Sequence, residues 1–196
     1  MGESTMSPID EQAQQPAHIH QVCLGLGANL GDRDASLRRA TAALQALSPM
    51  LRPTRVSSIY DTAPELETEQ PRFHNAACVA QTTLEPRALL RALKRIEMEL
   101  GRAPTYRYGP RAIDLDILLY DELILTSDEL SIPHPRLAER AFALVPLAEI
   151  APDLVHPVLG MTISQLAASQ NTADVRRLGP LIGNTAALQE GPLRMI

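Results

Sequence analysis

"GPRAIDLDILLYD", residues 109–121, reads as a strand with two unlike faces. Side chains alternate along a strand, so Ile113, Leu115 and Ile117 share one face while Asp114 and Asp116 share the other. The apolar face must meet a core. The acidic face sets two carboxylates roughly 7 Å apart along the backbone, where each raises the pKa of the other unless cations lie between them. Read alone, such a pair is equally a solvated strand face. Its neighbours add a second signal: between Gly101 and Ile113 stand Arg102, Arg107 and Arg111 and not one acid. Carboxylates are hard ligands suited to Mg²⁺, two ions about 3.5 to 4 Å apart can be bridged from such a pair, and arginine forks bind anions. Together they equip a chain for a nucleoside triphosphate and its magnesium ions.

Working outward, "QVCLGLGA" (21–28) is an apolar run ending in glycines, as expected of a buried strand. Asp32 can cap a following helix whose apolar stripe is Leu37, Ala40, Leu44 and Leu47, and Ser48-Pro49 ends it. A second strand is expected over 54–61, a third over 73–83 and a fourth over 112–120. The polar segment "TAPELETEQPR" before the third strand is long enough to be a binding loop. Between the third and fourth strands, Pro86 suits the first turn of a helix, Leu89, Leu93, Ile96 and Leu100 form its buried stripe, and Gly101 caps its end. The order β-α-β-β-α-β predicts an α/β (α+β) chain folded as a ferredoxin-like sandwich, mainly antiparallel with helices packed on the sheet. A small strand pair in "LILTSDELSIP" and a short helix in "RAFALVPLAEIAP" follow. The expected division is a disordered leader over 1–20, one domain over 21–168 and a loosely held tail over 169–196.

Composition excludes several function classes. The 196 residues suffice for one compact domain with tails, and a hydrophobic share of 45% with 21% charged residues is that of an ordinary globular protein. A net charge of −5, two Phe and four Tyr argue against a nucleic-acid binder, which needs basic stripes and aromatic platforms. No stretch resembles a secretory signal or a membrane span, and Cys23 and Cys78 sit in apolar runs without metal-ligand spacing, so a reduced, cytoplasmic protein is expected. "HIH" (18–20) reads as incidental rather than metal-binding. "GLGANLG" spaces Gly25, Gly27 and Gly31 one residue too long for a dinucleotide fingerprint, so these glycines are expected to serve tight turns and close packing. In "SIPHPR", His134 and Arg136, with Arg140 a turn later, stand either as structural residues or as groups able to donate a hydrogen bond or positive charge to phosphate.

In this order, "LGLGANLGDR", "SSIYDTAPE", "FHNAA", "ALKRIEMELGR", "RYGPRAIDLDILLY" and "IPHPRLAERAFALVPLAEIAP" closely resemble the 6-hydroxymethyl-7,8-dihydropterin pyrophosphokinases of folate biosynthesis. The resemblance covers about 20–168. It implies transfer of the pyrophosphoryl group of ATP to the hydroxymethyl oxygen of the pterin, with release of AMP. It implies that Asp114 and Asp116 hold two Mg²⁺ and that Arg102 and Arg111 contact the phosphates as catalytic residues. Arg107, Ser131, His134 and Arg140 match further ATP contacts. Thr62, Ala63, Pro64, Phe73, Asn75, Tyr108 and Phe142 match the pterin slot. Glu97 matches a family glutamate and is equally readable as a rim carboxylate beside the helix stripe. The substrates implied are small molecules, with no nucleic acid and no membrane as partner. Three departures stand out: "APTY" (103–106) carries none of the basic residues many members have there, Tyr108 replaces a usual tryptophan, and Phe73 replaces a common tyrosine. The rival readings are a degenerate, non-catalytic pterin binder and a ferredoxin-like ligand-binding module.

Overall fold

The computed structural model describes residues 18–65, 69–103 and 109–182. Strand β1 (His20–Ala28) leads into helix α1 (Arg33–Ala46), whose first turn is closed by the Asp32 carboxylate accepting from the Ala35 amide at 3.0 Å. Strands β2 (Leu51–Val56) and β3 (Ser58–Thr62) follow, then β4 (Phe73–Thr82), helix α2 (Pro86–Glu99) and β5 (Asp114–Tyr120). The single second strand expected over 54–61 is thus two. They part at Ser57, whose hydroxyl accepts from the Ala77 amide at 2.9 Å and so replaces a backbone carbonyl in the ladder. Helix α2 begins at Pro86, and Gly101 takes a φ of +91° just beyond its end, the left-handed conformation that glycine adopts without strain.

Every pairing in the main sheet is antiparallel. β5, β1, β4 and β3 lie side by side, and β2 also pairs with β4. Alternation along β1 and β5 sends Leu24, Leu26, Leu115 and Ile117 to one face, where they pack with Leu37 and Leu44 of α1 and Leu89 and Leu93 of α2. This is the ferredoxin-like sandwich expected from the element order. The opposite face carries Cys23, Ala77, Val79 and Leu118, covered by α3 (Ala141–Ile150) and α4 (Ile163–Ala168). The short strands β6 (Leu125–Thr126) and β7 (Ser131–Ile132) form the expected small pair.

Two boundaries differ from expectation. His20 already belongs to β1, and its Nδ1 lies 2.7 Å from Asp121 Oδ2. More consequentially, Val175–Pro180 forms strand β8, which pairs with β3 at the edge of the sheet. Leu181 then buries beside α1. The loosely held tail is therefore wrong for this stretch. Backbone pairing needs no apolar periodicity, and an edge strand bearing Arg176, Arg177 and Pro180 shows none. Among the described residues no helix is long and apolar enough to cross a membrane.

Candidate active site

A cavity of about 300 Å³ opens on the α3 side of the sheet, where β1 and β3 end and β4 and β5 begin. Gly25 and Gly27 lie inside β1 opposite Asp116 and Asp114 of β5, and opposite Ala77 and Asn75 of β4. They are not a turn. A β-carbon on Gly27 would stand 2.7 Å from Asn75 Oδ1, so the bare strand leaves a lane between the acidic strand and the asparagine.

One wall of the cavity is charged. The two oxygens of Asp114 take Arg102 Nη1 at 2.5 Å and Arg111 Nη1 at 2.6 Å. Burial pushes the Asp114 carboxyl up, but Arg111, Arg102 and Lys94 outweigh it and hold the group below the usual carboxylate range. Asp116 has the opposite setting. Among the described residues nothing donates a hydrogen bond to it. Burial, with the Asp114 charge two residues away, pushes it up to about 6.

Glu97 underlies this wall. Its side chain is only 2% exposed, which rules out a rim carboxylate. It accepts from the Leu115 amide at 2.6 Å and from Lys94 Nζ at 2.8 Å, and its other oxygen meets Arg102 Nη1 at 2.5 Å. The same guanidinium nitrogen thus joins Glu97 to Asp114.

His134 is not a source of positive charge. Burial and the adjacent Arg140 guanidinium push its imidazole down to about 4, so the ring is neutral near pH 7. Its Nε2 lies 3.1 Å from Arg140 Nη1, and Arg140 sits 5.4 Å from the centre of the Phe142 ring. Buried Nε of Arg140 has no partner among the described residues.

The other wall is largely uncharged, with Glu65 at its edge. Asn75 Nδ2 donates to Thr62 Oγ1 at 2.8 Å, and Thr62, Ala63, Pro64, Phe73, Asn75 and Phe142 all line the cavity. Of the expected residues, Arg102, Arg111, Asp114, Asp116, His134 and Arg140 line it as well. Ser131, on β7, does not. Arg107 and Tyr108 lie outside the described residues, as does "PTY" of the uncharged loop.

Three further residues belong to the site. Lys94 lines the cavity one helical turn before Glu97, a spacing along α2 that marks a shared face. Arg136 Nη2 reaches Glu65 Oε2 at 3.2 Å, joining the two walls. Asn29 is buried just past β1: its Nδ2 donates to Gln70 Oε1 at 3.0 Å and its Oδ1 accepts from the Arg111 amide at 2.7 Å. A polar residue at the end of an apolar strand was its only sequence signal.

No group of three or more metal-ligating side chains occurs among the described residues. The aspartate pair nevertheless fits Mg²⁺, which is commonly held by one or two carboxylates, with substrate phosphates and water completing the octahedron.

The family model for 7,8-dihydro-6-hydroxymethylpterin-pyrophosphokinase matches residues 23–152. The 2-amino-4-hydroxy-6-hydroxymethyldihydropteridine pyrophosphokinase of Methylorubrum extorquens is 43% identical over 155 residues, covering 79% of this chain and 96% of that protein. Its Bacillus subtilis namesake is 46% identical over 127 residues, covering 65% and 75%. The folic acid synthesis protein FOL1 of Dictyostelium discoideum is 38% identical over 160 residues, covering 81% of this chain. This chain spans only 24% of that protein's length, and 26% of the mitochondrial folate synthesis bifunctional protein of Arabidopsis thaliana. In fold it is similar to a Plasmodium falciparum HPPK-DHPS crystal structure, with a TM-score of 0.63 at 16% identity over 80% of this chain and 46% of that one. With two thirds of its length matched by one family model and a bacterial relative matched almost end to end, the chain belongs to the 7,8-dihydro-6-hydroxymethylpterin-pyrophosphokinase family.

Proposed function

We propose that the chain transfers the pyrophosphoryl group of ATP to the hydroxymethyl oxygen of 6-hydroxymethyl-7,8-dihydropterin, giving the pterin diphosphate and AMP in folate biosynthesis. The substrate oxygen attacks the β-phosphorus, the bond from that phosphorus to the α,β-bridging oxygen breaks, and AMP leaves. The observation that carries the reading is one cavity with an ionic wall and a largely uncharged wall, facing each other across Gly25 and Gly27 of β1.

Asp114 and Asp116 would hold two Mg²⁺, which when bound neutralise phosphate charge and acidify the substrate hydroxyl. Arg102 and Arg111 keep Asp114 ionised and present further guanidinium donors to the phosphate side. Arg140, whose buried Nε has no partner among the described residues, serves the same anion, while neutral His134 orients it. Arg107 joins this set on the family pattern alone. On the opposite wall Asn75, steadied by Thr62, reads the hydrogen-bonding edge of the pterin. Phe73 and Phe142 supply apolar faces, Ala63 and Pro64 close the slot, and Tyr108 completes it on the family pattern. Buried, unpaired Cys23 and Cys78 suit a reducing compartment, and the proposal places the reaction in the cytoplasm.

Incubation with Mg-ATP and the pterin alcohol should yield AMP and the pterin diphosphate in equal amounts. ADP in place of AMP would overturn the pyrophosphoryl assignment. Tight pterin binding without any product would favour the non-catalytic reading instead.

A further inference from the structure

On the reverse face of the sheet, directly behind the neutral wall, lies a carboxylate that the proposed reaction does not use. The Asp61 side chain is 8% exposed. Arg72 Nε reaches it at 2.7 Å, Arg176 at 3.5 Å, His74 Nε2 at 3.7 Å and Arg33 at 3.9 Å. Burial works against its charge, and these neighbours, Arg72 foremost, outweigh it to keep the carboxyl below its ordinary range. Such an ion cluster contributes little net stability compared with apolar packing of the same volume. Its geometry is more informative than its energy.

The three arginines and His74 come from four different parts of the chain: α1, the loop before β4, β4 itself and β8. They converge on the residue next to Thr62, and Arg72 immediately precedes Phe73. Thr62 and Phe73 face each other in the β3–β4 register, and Asp61 faces His74 one step away. The Arg72 carbonyl accepts from Arg33 at 2.7 Å, and Arg72 Nη2 donates to the Asp174 carbonyl just before β8 at 3.1 Å. Arg72 is therefore held at its backbone by α1 and at its guanidinium by Asp61 and the chain leading into β8.

We propose that Asp61 is a positioning residue for the pterin substrate, acting through Arg72 to fix the segment that delivers Gln70 and Phe73 to the slot. The inference rests on the pterin reading of the neutral wall. It makes strand β8 part of the support of the substrate site, since Arg176 and the Asp174 carbonyl complete the cluster.

The test compares Asp61→Asn, Arg72→Gln and the double variant by steady-state kinetics and by calorimetric titration with 6-hydroxymethyl-7,8-dihydropterin. Each single variant should raise the pterin KM and Kd about tenfold, the scale of a small misplacement, with kcat and the ATP KM changed less than twofold. The double variant should be no worse than the more affected single variant, because both act on one contact. Unchanged pterin affinity with only a lowered Tm would overturn the proposal, as would an ATP KM rising in step with that for pterin. Should Asp61→Asn not fold, Arg72→Gln decides alone, since that side chain is 42% exposed and its removal opens no cavity in the core. A wild-type protein that forms no AMP would sink the functional reading, and the calorimetric titration would still decide the role of Asp61.

Discussion

On the β5 side of the cavity, Asp114, Glu97, Arg102, Arg111 and Lys94 interlock through ion pairs of 2.5 to 2.8 Å. On the β3–β4 side the Asn75 amide and the Thr62 hydroxyl are bonded to each other at 2.8 Å, and the one acid lining the cavity there, Glu65, is paired with Arg136 at 3.2 Å. Both walls rest on the same sheet, separated by the single strand β1. The neutral wall is not short of charge behind it, for Asp61 and its cations lie just through the sheet. The charge stands behind the Thr62–Asn75 pair, and Glu65 at the edge of the slot is neutralised by Arg136. A flat heterocycle needs hydrogen bonds without an ionic field, whereas a triphosphate needs cations on all sides. On the proposed function, the partition would separate the two substrates before either binds.

Four substitutions would break or sharpen this contrast. Asp116→Ala removes the carboxylate to which no described residue donates a hydrogen bond, and turnover should fall on the order of 10³-fold or more, with metal-dependent ATP binding lost. AMP release and calorimetry with and without Mg²⁺ check it, and normal activity would refute the metal role. Glu97→Gln leaves Lys94 and Arg102 without their shared buried anion and should cost about 3 kcal/mol in urea denaturation while lowering kcat.

His134→Gln tests whether the charged wall keeps its imidazole neutral. The folded ring titrates at about 4 and a free one near 6.5, so between these values the unfolded chain binds more protons and stability falls as pH falls. Wild type should lose up to about 2 kcal/mol from this source between pH 7.5 and 5, and the variant should lack that part of the slope. Gly27→Ala has the smallest expected effect. Its β-carbon would push the Asn75 amide aside, raising the pterin KM about tenfold with the ATP KM unchanged. An equal change in both would show that the walls do not act separately.

What could be read in the sequence was whatever repeats locally. The two faces of Asp114–Tyr120, the Asp32 cap and the Gly101 terminus all follow from spacing within a few residues, and each stands where it was expected. What could not be read was made by partners distant along the chain. Asn29 acquires its role from Gln70 and Arg111, 41 and 82 positions away. Strand β8 is defined by β3 and not by its own side chains, and the split at Ser57 depends on Ala77. Most of the residues named from the family motifs that are described line one cavity, whereas Ser131, taken from the same pattern, does not.

The two glycines of β1 have a consequence for length. Asp114, Gly27 and Asn75 stand in one row across three neighbouring strands. Two inter-strand spacings, roughly 10 Å in all, therefore separate the backbone of Asp114 from that of Asn75. Backbone hydrogen bonds set that span, and no exchange of side chains stretches it. On the proposed function the sheet is a gauge: a pterin alcohol whose oxygen is carried one carbon further from the ring would overshoot the phosphate, and altered walls would not recalibrate it.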